Sequence, residues 1–242
     1  MYYEQEGYDI RLEWGEKGVE ALAPSSDVVI IVDVLSFTTC VEVALSRDAT
    51  VVPFSGTEEA AQALAREQGA LLAGRRGTPG ATYTLSPASL LTIPPGTNLV
   101  LPSPNGSTLS LAAARHATVI AACLRNSQAV AHYVQERFER ITVIPSGERW
   151  WPEGSLRPAL EDLAGAGAVI SALQGNKSPE SLHAELLFKA LADLPAMVAA
   201  CVSGVELREK GYEEDVRLAS ELGVSACVPL LDGGRFARVP LA

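Results

Sequence analysis

The chain of 242 residues is 48% hydrophobic and 20% charged, enough to give one large domain a substantial core and to exclude a disordered or fibrous protein. Nineteen Lys and Arg against 29 Asp and Glu leave a formal net charge of −10, so long-range electrostatics turn away nucleic acid and anionic membrane. The start, Met1-Tyr-Tyr-Glu-Gln-Glu6, lacks the basic-then-apolar pattern of a leader, and no apolar run nears bilayer length without Gly, Pro or charge; a cytoplasmic protein is expected.

In chain order, residues 8–14 alternate polar and apolar and predict an edge strand near the N-terminus. The run 28–34, with Val-Val-Ile-Ile-Val unbroken, predicts a strand buried on both faces. Helix 39–47, strand 50–54, helix 57–68 and strand 70–73 follow, then strand 98–101, helix 107–116, strand 118–122, helix 127–138 and strand 141–145. Beyond them the pattern predicts helices over 157–173 and 178–194, a strand over 197–202 and a helix over 212–222. The tail, 226–231 and 235–239 around Asp232-Gly-Gly234, predicts a hairpin, because Asp-Gly supplies the positive φ angles of a tight turn. This alternation predicts an α/β fold of three layers, α/β/α, around a mainly parallel, mixed sheet, with residues 1–242 forming a single domain or two subdomains of it.

Cys40, Cys123, Cys201 and Cys227 lie far apart, with no Cys-x-x-Cys and no His at zinc-ligand spacing, and read as reduced packing residues. Gly- and Pro-rich stretches at 74–87 and 146–158 are long for loops of a compact domain, a length that often carries function.

In sheets of this class ligands gather beyond the carboxyl ends of the strands, so the loops there are the first place to look for chemistry. Asp33 follows five apolar residues, where an unpaired carboxylate is costly unless a cation or several donors meet it. It reads as a metal ligand or a nucleophile beside a metal, against the plainer role of capping the next helix with Thr38 or Thr39. Asn105-Gly-Ser-Thr108 opens a helix whose free N–H groups favour a phosphate, with Asn105, Gly106 and Ser107 as candidate contacts; an ordinary Ser-capped turn explains the same residues. Asn126-Ser127 repeats the arrangement, and Arg125 adds a charge for a phosphate or carboxylate.

Glu161 and Asp162 sit in the first turn of a helix, and Asp162 lies beside its apolar face, placed to reach the sheet edge and complete an oxygen-rich site for Mg2+. Ser203-Gly204 offers a further anion-facing turn, and Asp215 a third acidic ligand. His116, His132 and His183 fall within helical patterns away from the strand ends. There is no Gly-x-Ser-x-Gly elbow, P-loop or Gly-x-Gly-x-x-Gly fingerprint. Cys-x5-Arg is absent, with Ala129 and Leu207 six residues after Cys123 and Cys201; Asp-x-Asp is absent too, since Leu35 follows Asp33-Val34.

Taken together, these blocks resemble the 2-phosphosulfolactate phosphatase (ComB-like) family over nearly the whole chain. They are the strand into Asp33-Val-Leu-Ser-Phe-Thr-Thr39, Leu72-Ala-Gly74, Leu85-Ser-Pro87, Asn105-Gly106, Asn126-Ser127, Leu160-Glu-Asp162 with Gly165 and Gly167, and Ser203-Gly204 followed by Gly211 and Asp215. The resemblance implies a Mg2+-dependent phosphatase that turns 2-phosphosulfolactate into sulfolactate within a three-layer α/β/α fold. Three places depart from the family. Ser36 stands where the family has Arg, Gly74-Arg-Arg76 where it often has Gly-Glu-Arg, and Ser103-Pro-Asn-Gly106 where it has Thr-Thr-Asn-Gly. Arg75, Arg76 and Arg125 are the alternatives for the missing charge.

The expected reaction is metal-assisted hydrolysis of a small phosphorylated substrate. Mg2+ is expected on Asp33 with Asp162 or Glu161 and Asp215, and phosphate oxygens at Thr38, Thr39, Asn105, Gly106, Ser107, Arg125, Asn126 and Ser203. Whether Asp33 attacks phosphorus or only binds metal stays open, as do a different phosphorylated metabolite and a non-catalytic binding protein. A homodimer is the default from symmetry.

Overall fold

A computed structural model describes residues 2–240. The first half runs β1 (Ile10–Leu12), α1 (Gly15–Leu22), β2 (Val28–Val32), α2 (Phe37–Ser46), β3 (Thr50–Phe54), α3 (Glu58–Glu67), β4 (Leu71–Leu72), α4 (Pro87–Leu90), β5 (Asn98–Pro102) and α5 (Gly106–Ala113). It continues with β6 (Thr118–Ala122), α6 (Ser127–Gln135), β7 (Ile141–Pro145), β8 (Glu148–Arg149), β9 (Leu156–Arg157) and α7 (Leu160–Ser171). The last part holds α8 (Pro179–Ala190), α9 (Leu194–Ala200), α10 (Val202–Glu209), α11 (Glu213–Ala219), β10 (Pro229–Asp232) and β11 (Arg235–Arg238).

Nine strands form one sheet in the order β1-β7-β2-β6-β10-β11-β3-β5-β4, with helices on both faces, the expected three-layer α/β/α arrangement. Strands β1, β7, β2 and β6 are mutually parallel, and so are β3, β5 and β4. The hairpin β10–β11 is wedged antiparallel between these blocks, pairing Leu230 with Ile120 on one side and Phe236 with Val51 on the other. The hairpin is thus as the sequence predicts, with Gly233 and Gly234 at positive φ, but it sits in the middle of the sheet.

All five residues of β2 are fully buried, as an unbroken apolar run predicts. Val28, Ile30 and Val32 face a core made with α6, α7 and α8, while Val29 and Ile31 face a second core made with α1, α2 and α5. Each such side chain contributes about 1.5–3 kcal/mol by leaving water, so β2 is firmly held and carries Asp33 on a rigid end. Helix α7 lies close against this strand. A Cβ at Gly165 would stand 2.7 Å from Val34 Cγ2 and 2.8 Å from Val32 Cγ1, so only glycine permits the contact that brings Asp162 to the strand end.

Two expectations are corrected. The predicted strand at 197–202 is helix α9 and the start of α10: Leu194 and Val198 are four residues apart and both bury against the core. The Asp193 side chain accepts a hydrogen bond from Ala196 N, which with Pro195 in the first turn starts a helix there. At the other end, β1 is an edge strand as expected, yet Arg11 is buried with its neighbours. Its guanidinium donates to Ser25 Oγ, Ser25 O and Ser26 Oγ, which accounts for a buried charge in an alternating pattern. Helix α1, with Val19 and Leu22 buried, has no counterpart in the sequence reading, since its Gly15 and Gly18 argue against a helix. Among the described residues no helix is long and apolar enough to cross a membrane.

Candidate active site

The loop after β2 folds back on itself. Thr38 Oγ1 donates to Asp33 O at 2.7 Å and accepts from Asp33 N at 3.0 Å, and Thr39 Oγ1 donates to Val34 O at 2.7 Å. Both threonines are fully buried and lock the turn that presents Asp33. The Asp33 carboxylate accepts from Phe37 N on Oδ1 (3.0 Å) and from Gly106 N on Oδ2 (2.9 Å). Gly106 is required at that point: a Cβ there would meet the Phe37 ring at 2.3 Å and Asp33 Oδ2 at 2.8 Å. The first N–H of α5 is thereby aimed at Asp33, joining the end of β2 to the end of β5 across the hairpin.

Asp162 makes a similar brace on the other side. Its Oδ1 accepts from Val34 N (2.7 Å) and its Oδ2 from Gly147 N (2.8 Å), tying the loops after β2 and β7 together. Glu161, its neighbour, is buried near the Cys201 thiol, which itself donates to Val198 O (3.1 Å). Glu148, the first residue of β8, accepts from Asn105 Nδ2 at 3.1 Å.

Asp33, Glu148, Glu161 and Asp162 thus form one group of carboxylates that act on each other. Burial, then the charge of Glu161 against the pull of two backbone N–H groups, leaves the Asp33 carboxyl at about 6. Burial and the charges of Asp33 and Glu161 push Glu148 to about 7, and push Asp162 well above the ordinary carboxylate range. The opposing positive charges are Arg76, which acts on Asp33, and Arg157, which acts on Glu148. So much uncompensated acid beside donor-rich loops suits a hard cation, for which carboxylate oxygens are the preferred ligands. Among the described residues no group of three or more His, Cys, Asp or Glu side chains is arranged to hold a metal ion. Mg2+ asks for no more than one or two carboxylates, its remaining positions being filled by water and substrate oxygens.

The remaining candidates separate into two groups. Ser203 accepts from Arg157 Nη2 at 3.1 Å and so borders the acidic group, while Ser107 is fully buried and donates to Leu101 O. Arg125 and Asn126 are turned elsewhere. Arg125 pairs with Glu42 (2.6 Å) and with Glu221, and Asn126 bonds Cys123 N, Ala121 O and Cys227 O. Asp215 is also apart from Asp33: its Oδ1 accepts from Ser86 Oγ (2.5 Å) and Ala88 N (3.1 Å), and its Oδ2 pairs with Arg76 Nε (3.0 Å). Sequence reasoning places Ser146-Gly-Glu148 among the strand-end loops but gives Glu148 no role, and it does not single out Arg157, although both lie in the long Gly- and Pro-rich stretch read as functional. Their pairing with Asn105 and Ser203 spans more than forty residues and leaves no local pattern.

Two clefts flank this centre, divided by residues 103–106. One of about 240 Å³ is lined by Asn105, Ser146, Glu148 and Arg149 together with Trp14 and Leu156. The other, of about 510 Å³, lies at the carboxyl ends of β3, β4 and β5 and is lined by Arg75, Arg76, Thr57, Ser103 and Pro104.

A family model described as 2-phosphosulpholactate phosphatase matches residues 17–234. The chain is 31% identical over 208 residues to the "Probable 2-phosphosulfolactate phosphatase" of Carboxydothermus hydrogenoformans, covering 83% of this chain and 84% of that protein. It is 28% identical over 214 residues to the "2-phosphosulfolactate phosphatase" of Methanothermobacter thermautotrophicus, covering 87% and 89%. A third relative, from Thermus thermophilus and named like the first, is 30% identical over 217 residues, covering 86% and 89%.

Proposed function

Because the chain belongs to the 2-phosphosulfolactate phosphatase family and is a phosphoric monoester hydrolase, we propose that it hydrolyses 2-phosphosulfolactate to sulfolactate and phosphate with the help of Mg2+. The observation that carries this reading is the Asp33 carboxylate, fixed by two backbone N–H groups at a strand end and surrounded by three further acids. Asp33 and Glu161 hold the ion, and Asp162 braces the loops that present them. When bound, Mg2+ supplies positive charge to offset that of the transferring phosphoryl group.

The chain's own groups do the rest. Asp33 keeps one free lone pair on each oxygen beyond the bonds from Phe37 and Gly106, which leaves it able to ligate without losing its anchors. Glu148, oriented by Asn105, takes the proton of the attacking water and returns it to the departing alkoxide. Arg157 draws the phosphate ester towards a centre that is otherwise acidic, and the Trp150 ring, 5.9 Å from its guanidinium carbon, steadies it. Four buried, unpaired thiols support a reducing, cytoplasmic setting.

The test is release of inorganic phosphate from 2-phosphosulfolactate with Mg2+ and again after chelation. Metal-dependent release is expected. Failure to release phosphate from this compound or from a panel of other phosphomonoesters would end the phosphatase reading.

A further inference from the structure

The guanidinium of Arg76 is held on three sides. Its Nε pairs with Asp215 Oδ2 at 3.0 Å, its Nη2 donates to Ser36 Oγ at 2.5 Å, and its carbon lies 5.4 Å from the centre of the Tyr212 ring. Asp215, with 1% of its side chain exposed, is itself fixed by Ser86 Oγ and Ala88 N. The pairing with Asp215 is single, through Nε alone, and Nη1 has no partner among the described residues. Arg76 therefore retains one donor, Nη1, for an anion even while its charge is paired with Asp215. It lines the 510 Å³ cleft, and its charge is felt by Asp33, so cleft and acidic centre are electrostatically joined.

Position 36 explains why this arginine is the one in reach. Ser36 is short and nearly fully buried, and its hydroxyl receives Arg76 at the turn between Asp33 and α2. A long side chain there would occupy the place the guanidinium takes. Arg125, the other candidate for the same charge, is neutralised by Glu42 and Glu221.

From this we infer that Arg76, prearranged by Asp215 and Ser36, is the specificity residue that grips the second, non-transferred anion of the substrate in the larger cleft. The inference rests on the phosphatase reading above. The phosphoryl group lies at Asp33, and the acidic tail of the same molecule extends past residues 103–104 to Arg76. The substrate class is a phosphomonoester with a carboxylate or sulfonate close to the ester carbon, and an ester with a neutral tail leaves the Arg76 donor unmatched.

The experiment compares kcat/KM for 2-phosphosulfolactate and for phenyl phosphate in the Mg2+-loaded protein and in its Arg76→Gln and Arg76→Lys variants. Calorimetric binding of the product sulfolactate provides a readout independent of turnover. We expect Arg76→Gln to lower the preference for 2-phosphosulfolactate over phenyl phosphate by about 100-fold, mainly through KM, and to weaken sulfolactate binding by at least about tenfold. Arg76→Lys, which keeps a charge but not the fork, should lose about tenfold in the same preference. If both variants lower the two substrates in equal proportion, so that the preference is unmoved, Arg76 holds the phosphoryl group or the fold and the inference fails. A parent protein that hydrolyses neither compound would instead overturn the phosphatase reading, and this inference with it.

Discussion

Asp33 and Asp215 are both aspartates almost fully removed from water, and they are treated in opposite ways. Asp215 meets a guanidinium, a serine hydroxyl and a backbone N–H, so its charge is matched where it lies. Asp33 meets two backbone N–H groups but also Glu161, Glu148 and Asp162, and burial leaves its carboxyl at about 6. A buried charge with its partners in place serves the scaffold, whereas one kept among like charges stores an unmet demand for a cation. The contrast divides the acidic residues by role more sharply than their positions in the sequence do.

The largest expected effect comes from breaking the Asp33 side. Asp33→Asn should lower phosphate release on the order of 10³-fold, yet leave metal-free stability at pH 8 no lower than that of the parent, because it relieves repulsion. Turnover near the parent value would remove Asp33 from the mechanism. On the Asp215 side the expected loss is one of stability. Asp215→Asn leaves Arg76 without its counter-charge and should lower the free energy of unfolding by about 3 kcal/mol in a denaturant titration. An unchanged midpoint would mean the pair is not structural.

The pH dependence of melting sharpens the same contrast. Asp33 and Glu148 have folded-state pKa values above their ordinary ones, about 6 and about 7, so the stability they contribute is complete below about pH 4 in their protonated forms. It is lost as pH rises through 6 and 7. Metal-free protein should therefore melt on the order of 5 °C lower at pH 8 than at pH 5, and Mg2+ should flatten that slope. A slope that Mg2+ leaves untouched would separate the ion from the acidic group. The smallest effect belongs to Glu148→Gln, which removes one of the mutually repelling charges. It should raise metal-free melting at pH 8 by about 2–4 °C and do little at pH 5; equal shifts at both would point to packing instead.

Much of this was legible in the residues themselves. An unbroken, β-branched Val-Val-Ile-Ile-Val ending in Asp reads as a doubly covered strand delivering a carboxylate, and Gly106 and Asp162 stand where ends of neighbouring elements converge. What was not legible depends on pairing over distance. Arg125 and Asn126 have the composition of an anion site, but Glu42 and a carbonyl of Cys227, 83 and 101 residues away, claim them. Arg76, Ser36 and Asp215 form a unit whose members are 40 and 139 residues apart, and no local period reveals it. The helix at 194–200 reads as a strand from composition because a short apolar run looks the same in both, and its Asp193 cap carries the deciding signal.

The hairpin wedged between β6 and β3 has a consequence for synthesis. Residues 229–238 leave the ribosome after every other described strand, yet within the sheet they alone pair the block that carries Asp33 with the block that leads to Gly106. Until they arrive, β6 and β3 are open edges and the two halves of the centre have no shared sheet to set their distance. The nascent chain can therefore bring its four acids together early within one block, while the Gly106 N–H that anchors Asp33 is set in register last, when the hairpin closes the gap.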